Sequence, residues 1–260
     1  MKKTVGTHHR IAVVSMIMIA LGELLIFTGN VTLGVTVHIL NLQMIIVSMF
    51  IKGGETDQIV LDKQILQALL LLLQLRIINI VMPFFFTMTL YWYPLIYIPL
   101  FISIYLILRY QNASFDDIGM DMRNLYRYIP LALIIGAILA WVEYQIIHPE
   151  PLIPKLGIAD MLTLVIIMFV FVGLVEELIF RSILQTKLQQ SVGACNGLLM
   201  TSVLFGVMHS GYGSVYELLF ATAAGLIIGY LYQKTGSLPF VTAIHGMVNV
   251  LLFGLLPHTL

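Results

Sequence analysis

The chain has 260 residues, of which 60% are hydrophobic and only 10% are charged, and its formal net charge at pH 7 is +0. A soluble globular protein carries about 25% charged residues, so this composition excludes a fully water-solvated surface and indicates lipid as the main solvent. The zero net charge predicts no nucleic-acid partner, and the single cysteine, Cys195, excludes an intramolecular disulfide framework.

Apolar runs long enough to cross a membrane follow one another along the chain. A spanning helix needs about 20 mainly apolar residues, and the first run is too long for a cleaved signal peptide. Arg76 lies inside the third run, so residues 59–76 are alternatively an interfacial amphipathic helix, and residues 91–94 suggest an interfacial aromatic turn. The pattern predicts an all-α, polytopic transmembrane helix bundle with eight or nine spanning helices. The segments are 11–27, 31–51, 65–90, 94–108, 129–147, 161–180, 197–209, 215–232 and 238–256.

The distribution of lysine and arginine predicts how the chain crosses the membrane. Cytoplasmic segments of membrane proteins carry an excess of these residues. With nine spans and the N-terminus inside, segment 109–128 is cytoplasmic and only Lys155 lies between spans on the outer side. We therefore expect a multi-pass protein of the cell (plasma) membrane with a cytoplasmic N-terminus. The inside residues are Lys2, Lys3, Arg10, Lys52, Lys63, Arg109, Arg123, Arg127, Lys187 and Lys234.

Informative polar side chains at membrane depth are concentrated in the sixth, seventh and ninth apolar runs. Placing such groups in lipid is costly, so each is a candidate functional residue. At 1.5 Å per residue, Glu176, His209 and Asn249 each lie ~20 Å along their predicted helices. His245 lies about one turn below Asn249. We therefore expect these four groups to fall in one layer of the membrane.

Helix geometry also assigns faces to these residues. Residues four apart share a face, so His245 and Asn249 point the same way, and Glu177 and Arg181 can form an ion pair. Arg181 would then fix Glu177 and brace the helix. Glu176 is rotated by about 100° from Glu177 and meets different surroundings. A carboxylate that faces an apolar cavity is suited to general-base work.

These positions predict hydrolysis of a peptide bond by water, with no Ser or Cys nucleophile. Glu176 and His209 would hold a water molecule, and Glu176 would take its proton during attack on the carbonyl. His245 and the Asn249 amide would donate hydrogen bonds to the oxyanion.

Three short motifs follow one another in the second half of the chain: EExxFR at 176–181, FxxxH at 205–209 and HxxxN at 245–249. In this order they resemble the motifs of the CAAX-protease and bacteriocin-processing family, also called CPBP or Abi, which includes the Ras-converting CAAX endopeptidase. The resemblance covers about residues 160–256. It implies a catalytic transmembrane core at 151–260, preceded by helices of unassigned role at 1–150.

The resemblance further implies an intramembrane, glutamate-dependent endopeptidase that needs no cofactor. Its substrate would be a membrane-associated or lipid-modified peptide or protein that reaches the site from the lipid or from the cytoplasmic face. A prenylated C-terminal peptide, a bacteriocin or pheromone precursor and a membrane-protein fragment all remain open. The residues assigned by resemblance are catalytic Glu176, His209, His245 and Asn249 and supporting Glu177, Arg181 and Phe205.

Three other functions are alternatives. Glu176, His209 and His245 offer a plausible zinc set for a membrane metalloprotease, although no HExxH string is present and asparagine is a poor zinc ligand. A non-catalytic bacteriocin-immunity or signalling scaffold would keep the fold without needing the carboxylate. A transporter that binds ions at midplane polar residues ranks last, because paired broken half-helices and a repeat are not evident.

The remaining polar residues have structural interpretations. Glu23, His38, Asn41 and Gln43 are expected to make hydrogen bonds between the first two helices. Arg76 is expected to snorkel toward the interface. Residues expected near the outer interface or in the N-terminal tail are Glu143, Glu217, His8 and His9.

Overall fold

The computed structural model describes residues 2–51, 56–85 and 89–260, and within these ranges the secondary structure is helical, without a strand. Within the same ranges, eight helices are long and apolar enough to cross a membrane. The predicted all-α polytopic bundle of eight or nine spans is therefore confirmed, and the chain is an integral, multi-pass membrane protein.

The helices of the described residues are labelled α1 to α9 in chain order. Eight of these nine helices are long enough to span a membrane, and α7 is the shorter one. Its 14 residues extend about 21 Å at 1.5 Å per residue. A short 3₁₀ turn, Ser210–Tyr212, follows α7. The bounds are α1 Lys2–Phe27, α2 Val31–Met49, α3 Asp57–Phe85, α4 Trp92–Tyr110, α5 Leu125–Ile147, α6 Ile158–Val192, α7 Ala194–Val207, α8 Val215–Thr235 and α9 Leu238–Thr259.

The predicted segments differ from the observed helices mainly at their ends. Helix α1 begins at Lys2, so His8 is a buried helical residue and its assignment to a tail is wrong. Helix α4 begins at Trp92 and includes most of the predicted turn at 91–94. Pro94 fits there because a proline in the first turn removes an N–H that has no helical acceptor. Residues 86–88 of the predicted third span, and Lys52, lie outside the described residues.

The chain divides into two compact units, the first formed by residues 1–85 with 183–226 and the second by residues 86–182 with 227–260. In the first unit, α1 packs closely on α2, because a Cβ on Gly34 would lie 2.7 Å from the Gly22 carbonyl oxygen. Asn41 donates to the Ser15 carbonyl at 2.9 Å, which confirms its predicted role between these helices. Gln43 is exposed. The predicted functional division at residue 150 stays a prediction.

In the second unit, the segment that joins α4 to α5 is tied to the beginning of α9. The Leu238 N–H donates to the Gly119 carbonyl at 2.8 Å, and the Ser182 hydroxyl donates to the Ile118 carbonyl at 2.9 Å. In the same segment, a hydrogen bond from the Arg123 guanidinium lowers the pKa of the Asp121 carboxyl below its ordinary value. These contacts fix the end of the second unit from which α9 begins.

Candidate active site

The two adjacent glutamates lie in a short regular turn of α6, between two interruptions of its α-helical hydrogen bonding. The regular turn Leu174–Glu177 is preceded by a π-helical segment, Ile167–Gly173, and followed by another, Leu178–Gln185. Segments of this kind occur frequently at functional sites. Because a π turn holds more residues than an α turn, it changes which side chains of α6 face the neighbouring helices.

Glycines bring α6 and α9 close together beside the glutamates. A Cβ on Gly173 would lie 3.2 Å from the Gly246 backbone nitrogen, and a Cβ on Gly246 would lie 2.6 Å from the Phe169 ring. Small residues allow this close approach of helix backbones within a membrane. As a result, side chains on the adjoining turns of the two helices can touch directly.

Glu177 is a buried carboxylate with two cationic or potentially cationic partners. Its Oε1 accepts a hydrogen bond from Arg181 Nη1 at 2.9 Å, which is the ion pair expected from the spacing along α6. The same oxygen lies 2.7 Å from His245 Nδ1. Because a carboxylate oxygen only accepts hydrogen bonds, this contact assigns a proton to Nδ1. The link from α6 to α9 was not expected from the sequence.

Glu176 has different surroundings from Glu177, as its rotation along the helix predicts. Its side chain is 15% exposed, whereas that of Glu177 is 0% exposed. The Tyr97 hydroxyl donates a hydrogen bond to Glu176 Oε1. The other oxygen, Oε2, lies 3.8 Å from His245 Nε2. Of the two carboxylates, Glu176 is therefore the one with an exposed fraction.

Tyr97 is the residue of this cluster that the sequence reasoning missed. It is buried on α4, and its ring stacks on that of Tyr93 with centroids 6.4 Å apart. The available signal was two tyrosines four residues apart in an apolar helix, since a buried tyrosine hydroxyl generally finds a partner. That signal indicates a polar contact without identifying its acceptor.

His245 and Asn249 lie one turn apart on α9, and both are buried. Phe205 and His209 belong to the first unit; Phe205 lies near the end of α7, and His209 lies two residues beyond it. His209 Nδ1 lies 2.9 Å from the Phe205 carbonyl oxygen. A carbonyl only accepts, so Nδ1 carries a proton and Nε2 is the accepting nitrogen of the neutral ring.

The predicted sharing of a water molecule by His209 and Glu176 stays a prediction. For the zinc alternative, no three His, Cys, Asp or Glu side chains within the described part of the chain form a group that could hold a metal ion.

Residues 158–251 match the family described as Type II CAAX prenyl endopeptidase Rce1-like. This segment of the chain resembles the Rce1-like family. The family resemblance inferred from the three motifs is therefore confirmed, and this similarity supports a membrane protease as the class of protein. The matched segment contains all seven residues predicted for the site, whereas Tyr97 lies before it.

Two curated proteins of Bacillus subtilis (strain 168) are similar to this chain. "Putative membrane peptidase YdiL" is 27% identical over 169 residues, which cover 61% of this chain and 68% of that protein. "Uncharacterized protein YpbD" is 24% identical over 134 residues, which cover 50% of this chain and 67% of that protein. No solved structure matches this chain.

Proposed function

We propose that this Rce1-like chain is an intramembrane endopeptidase in which Glu176 and His209 activate the attacking water. The observation that carries the proposal is the contrast between the two adjacent carboxylates of α6. Glu177 is buried against Arg181 and His245, whereas Glu176 is partly exposed beside them. This contrast supports a structural role for Glu177 and water activation by Glu176.

Glu176 serves as the general base. The Tyr97 hydroxyl fixes one carboxylate oxygen, Oε1, and stabilises the charged form that accepts a proton. The second oxygen, Oε2, is then held on the side of His245. Fixing a carboxylate in this way removes the need to reorganise it during attack, which is a main source of catalytic rate.

His245 and Asn249 stabilise the oxyanion. Two carboxylates and the Arg181 guanidinium leave one negative charge, which a protonated His245 would balance. A protonated ring carries N–H groups on both nitrogens, so Nε2–H can donate while Nδ1–H remains bonded to Glu177. Asn249 contributes its amide from the same face of α9, one turn further along.

His209 is the second group that holds the water. Its Nδ1–H is engaged by the Phe205 carbonyl, so the neutral ring offers Nε2 as an acceptor for a water proton. The substrate is a membrane-associated or lipid-modified peptide or protein, which agrees with a site built on membrane-spanning helices. This assignment makes Phe205 a positioning residue for His209.

The first test compares the termini of membrane and secreted peptides in cells that express the wild type, Glu176→Ala or no protein. Expression of the variants is matched, and Glu150→Ala is the control because Glu150 is an exposed carboxylate on the segment between α5 and α6. We expect the same cleavage termini to disappear in the deletion and in Glu176→Ala, and to persist in Glu150→Ala.

The outcome also separates the alternatives. Full rescue of a deletion phenotype by Glu176→Ala would overturn the protease proposal in favour of a scaffold or immunity role. Cleavage that depends on Glu176 but tracks bound zinc in the purified protein, and is lost with a chelator, would replace water activation by Glu176 with the metalloprotease mechanism.

A further inference from the structure

A buried ion pair joins two helices of the first unit, in the part of the chain to which no role has been assigned. The Arg76 guanidinium donates two hydrogen bonds to Glu23, from Nε to Oε1 and from Nη2 to Oε2, each at 2.6 Å. The side chains are 10% and 1% exposed. The expectation that Arg76 snorkels is therefore wrong, because α1 supplies a carboxylate within its reach.

The pair extends to the turn that follows α7. The Ser210 hydroxyl donates to Glu23 Oε2 and accepts a hydrogen bond from Arg76 Nη2 at 2.8 Å. Both terminal nitrogens of Arg76 are also the atoms nearest to a Cβ built on Gly211, at 3.9 Å. The cluster of Glu23, Arg76 and Ser210 thus connects α1, α3 and the backbone that directly follows His209.

A fourth side chain, His38 of α2, completes the surroundings of Glu23. Its Nε2 lies 3.1 Å from Glu23 Oε1. A Cβ on Gly22 would lie 2.7 Å from the His38 ring, so glycine is required for this approach. Charged groups at membrane depth are expensive and generally mark functional positions, whereas apolar packing joins helices at less cost.

We infer that the Glu23–Arg76–Ser210 cluster positions His209, an inference that rests on the proposed function. The ring of His209 is held on one side by the Phe205 carbonyl. The backbone on its other side is held through Ser210 by a carboxylate and a guanidinium from two other helices. The helices α1 to α3 therefore act on the reaction by fixing the histidine, and Glu23, Arg76 and Ser210 are positioning residues.

The test compares Ser210→Ala and Glu23→Gln with Asn41→Ala in purified full-length protein. Asn41 is the matched control because it is also buried and makes a bond between α1 and α2, but it contacts the Ser15 carbonyl. The substrate-independent measurement is the rate at which diethyl pyrocarbonate modifies His209, followed by mass spectrometry. The second measurement is kcat and KM on a peptide identified from the lost termini.

We expect Ser210→Ala and Glu23→Gln to change the modification rate of His209, while Asn41→Ala leaves it at the wild-type value. Because a displacement of about 1 Å can cost ~100-fold in rate, kcat should fall between about 10-fold and 100-fold with KM unchanged. Ser210→Thr, which keeps the hydroxyl, should restore both measurements.

One result would overturn the inference, and another would separate it from the proposed protease function. If all three variants lower thermal stability alike and leave His209 modification and kcat unchanged, the cluster only joins helices and the inference fails. If His209 modification changes in Ser210→Ala but the wild type cleaves no peptide, positioning of the histidine stands and the proposed protease function fails.

Discussion

Tyr97 is the side chain through which α4 touches the proposed general base. Replacing it with phenylalanine removes one hydrogen bond to Glu176 and keeps the aromatic ring in place. A hydrogen bond to a charged group contributes about 1.5–3 kcal/mol, and each 1.36 kcal/mol changes a rate about tenfold. We expect Tyr97→Phe to lower kcat by about 10-fold to 100-fold, measured at saturating peptide.

The matched control for this change is Tyr93→Phe. Tyr93 lies one turn earlier on α4 and stacks on Tyr97, so the substitution tests the same helix face and the same loss of a hydroxyl. It should retain wild-type kcat, because the Glu176 contact is made by the Tyr97 hydroxyl. Equal losses in both variants would mean that the helix face, and not the hydrogen bond to Glu176, determines the rate.

Individual contacts of the site differ in how far the sequence could predict them. The Glu177–Arg181 ion pair was predictable because both residues are on one helix, four positions apart. The contacts His245–Glu177 and Tyr97–Glu176 join positions 68 and 79 residues apart. Such contacts depend on how helices pack, which periodicity within one helix does not specify.

The helices also differ in how far the sequence could predict them. Apolar length predicted the spanning helices, because lipid requires about 20 apolar residues whatever the tertiary packing. It underestimated α6, predicted as 161–180 and observed as Ile158–Val192. Residues 185–190 are mainly polar and lie beyond the apolar run, yet Gln185 and Leu188 are buried and the helix continues through them.

The close approach of α6 and α9 makes Gly246→Ala a test of how that packing supports the site. The added methyl group would lie 2.6 Å from the Phe169 ring, so α9 or the ring must move. Overpacking of this kind costs about 1–3 kcal/mol, and any shift of α9 moves the neighbouring His245. We expect a lower unfolding temperature in detergent and reduced cleavage of the identified peptide.

The control for Gly246→Ala is Gly6→Ala, because a Cβ on Gly6 meets no atom within 4 Å among the described residues. It should leave both measurements unchanged. Adding Phe169→Ala to Gly246→Ala makes room for the methyl group and should recover part of the stability. The double variant could instead be less stable than Gly246→Ala by the full cost of losing the Phe169 ring. Steric conflict with that ring would then not be the cause of the lower stability of Gly246→Ala.

At the scale of the whole molecule, contacts within the second unit bear on the number of crossings. Leu238 at the start of α9 is bonded to Gly119, so the end of α8 and the segment between α4 and α5 lie on one side. Helices α5 and α6 cross away from that side and return to it. With nine spans, α7 and residues 208–214 would supply the crossing from which α8 returns to that side. Nine crossings, the odd count that the basic residues predict, stay a prediction.

Cysteine accessibility tests both this count and the predicted orientation. In a Cys195→Ser background, one cysteine is introduced in turn as Asp116→Cys, Lys155→Cys or Lys234→Cys, three positions that are exposed. With a cytoplasmic N-terminus and nine crossings, an impermeant maleimide should label only Lys155→Cys in intact cells and all three after lysis. Labelling of the other two instead would reverse the orientation. If Asp116→Cys and Lys234→Cys differ in accessibility, the two positions lie on opposite sides of the membrane. An odd number of crossings would then separate them, namely those by α5, α6 and α8. This result would exclude a crossing by α7.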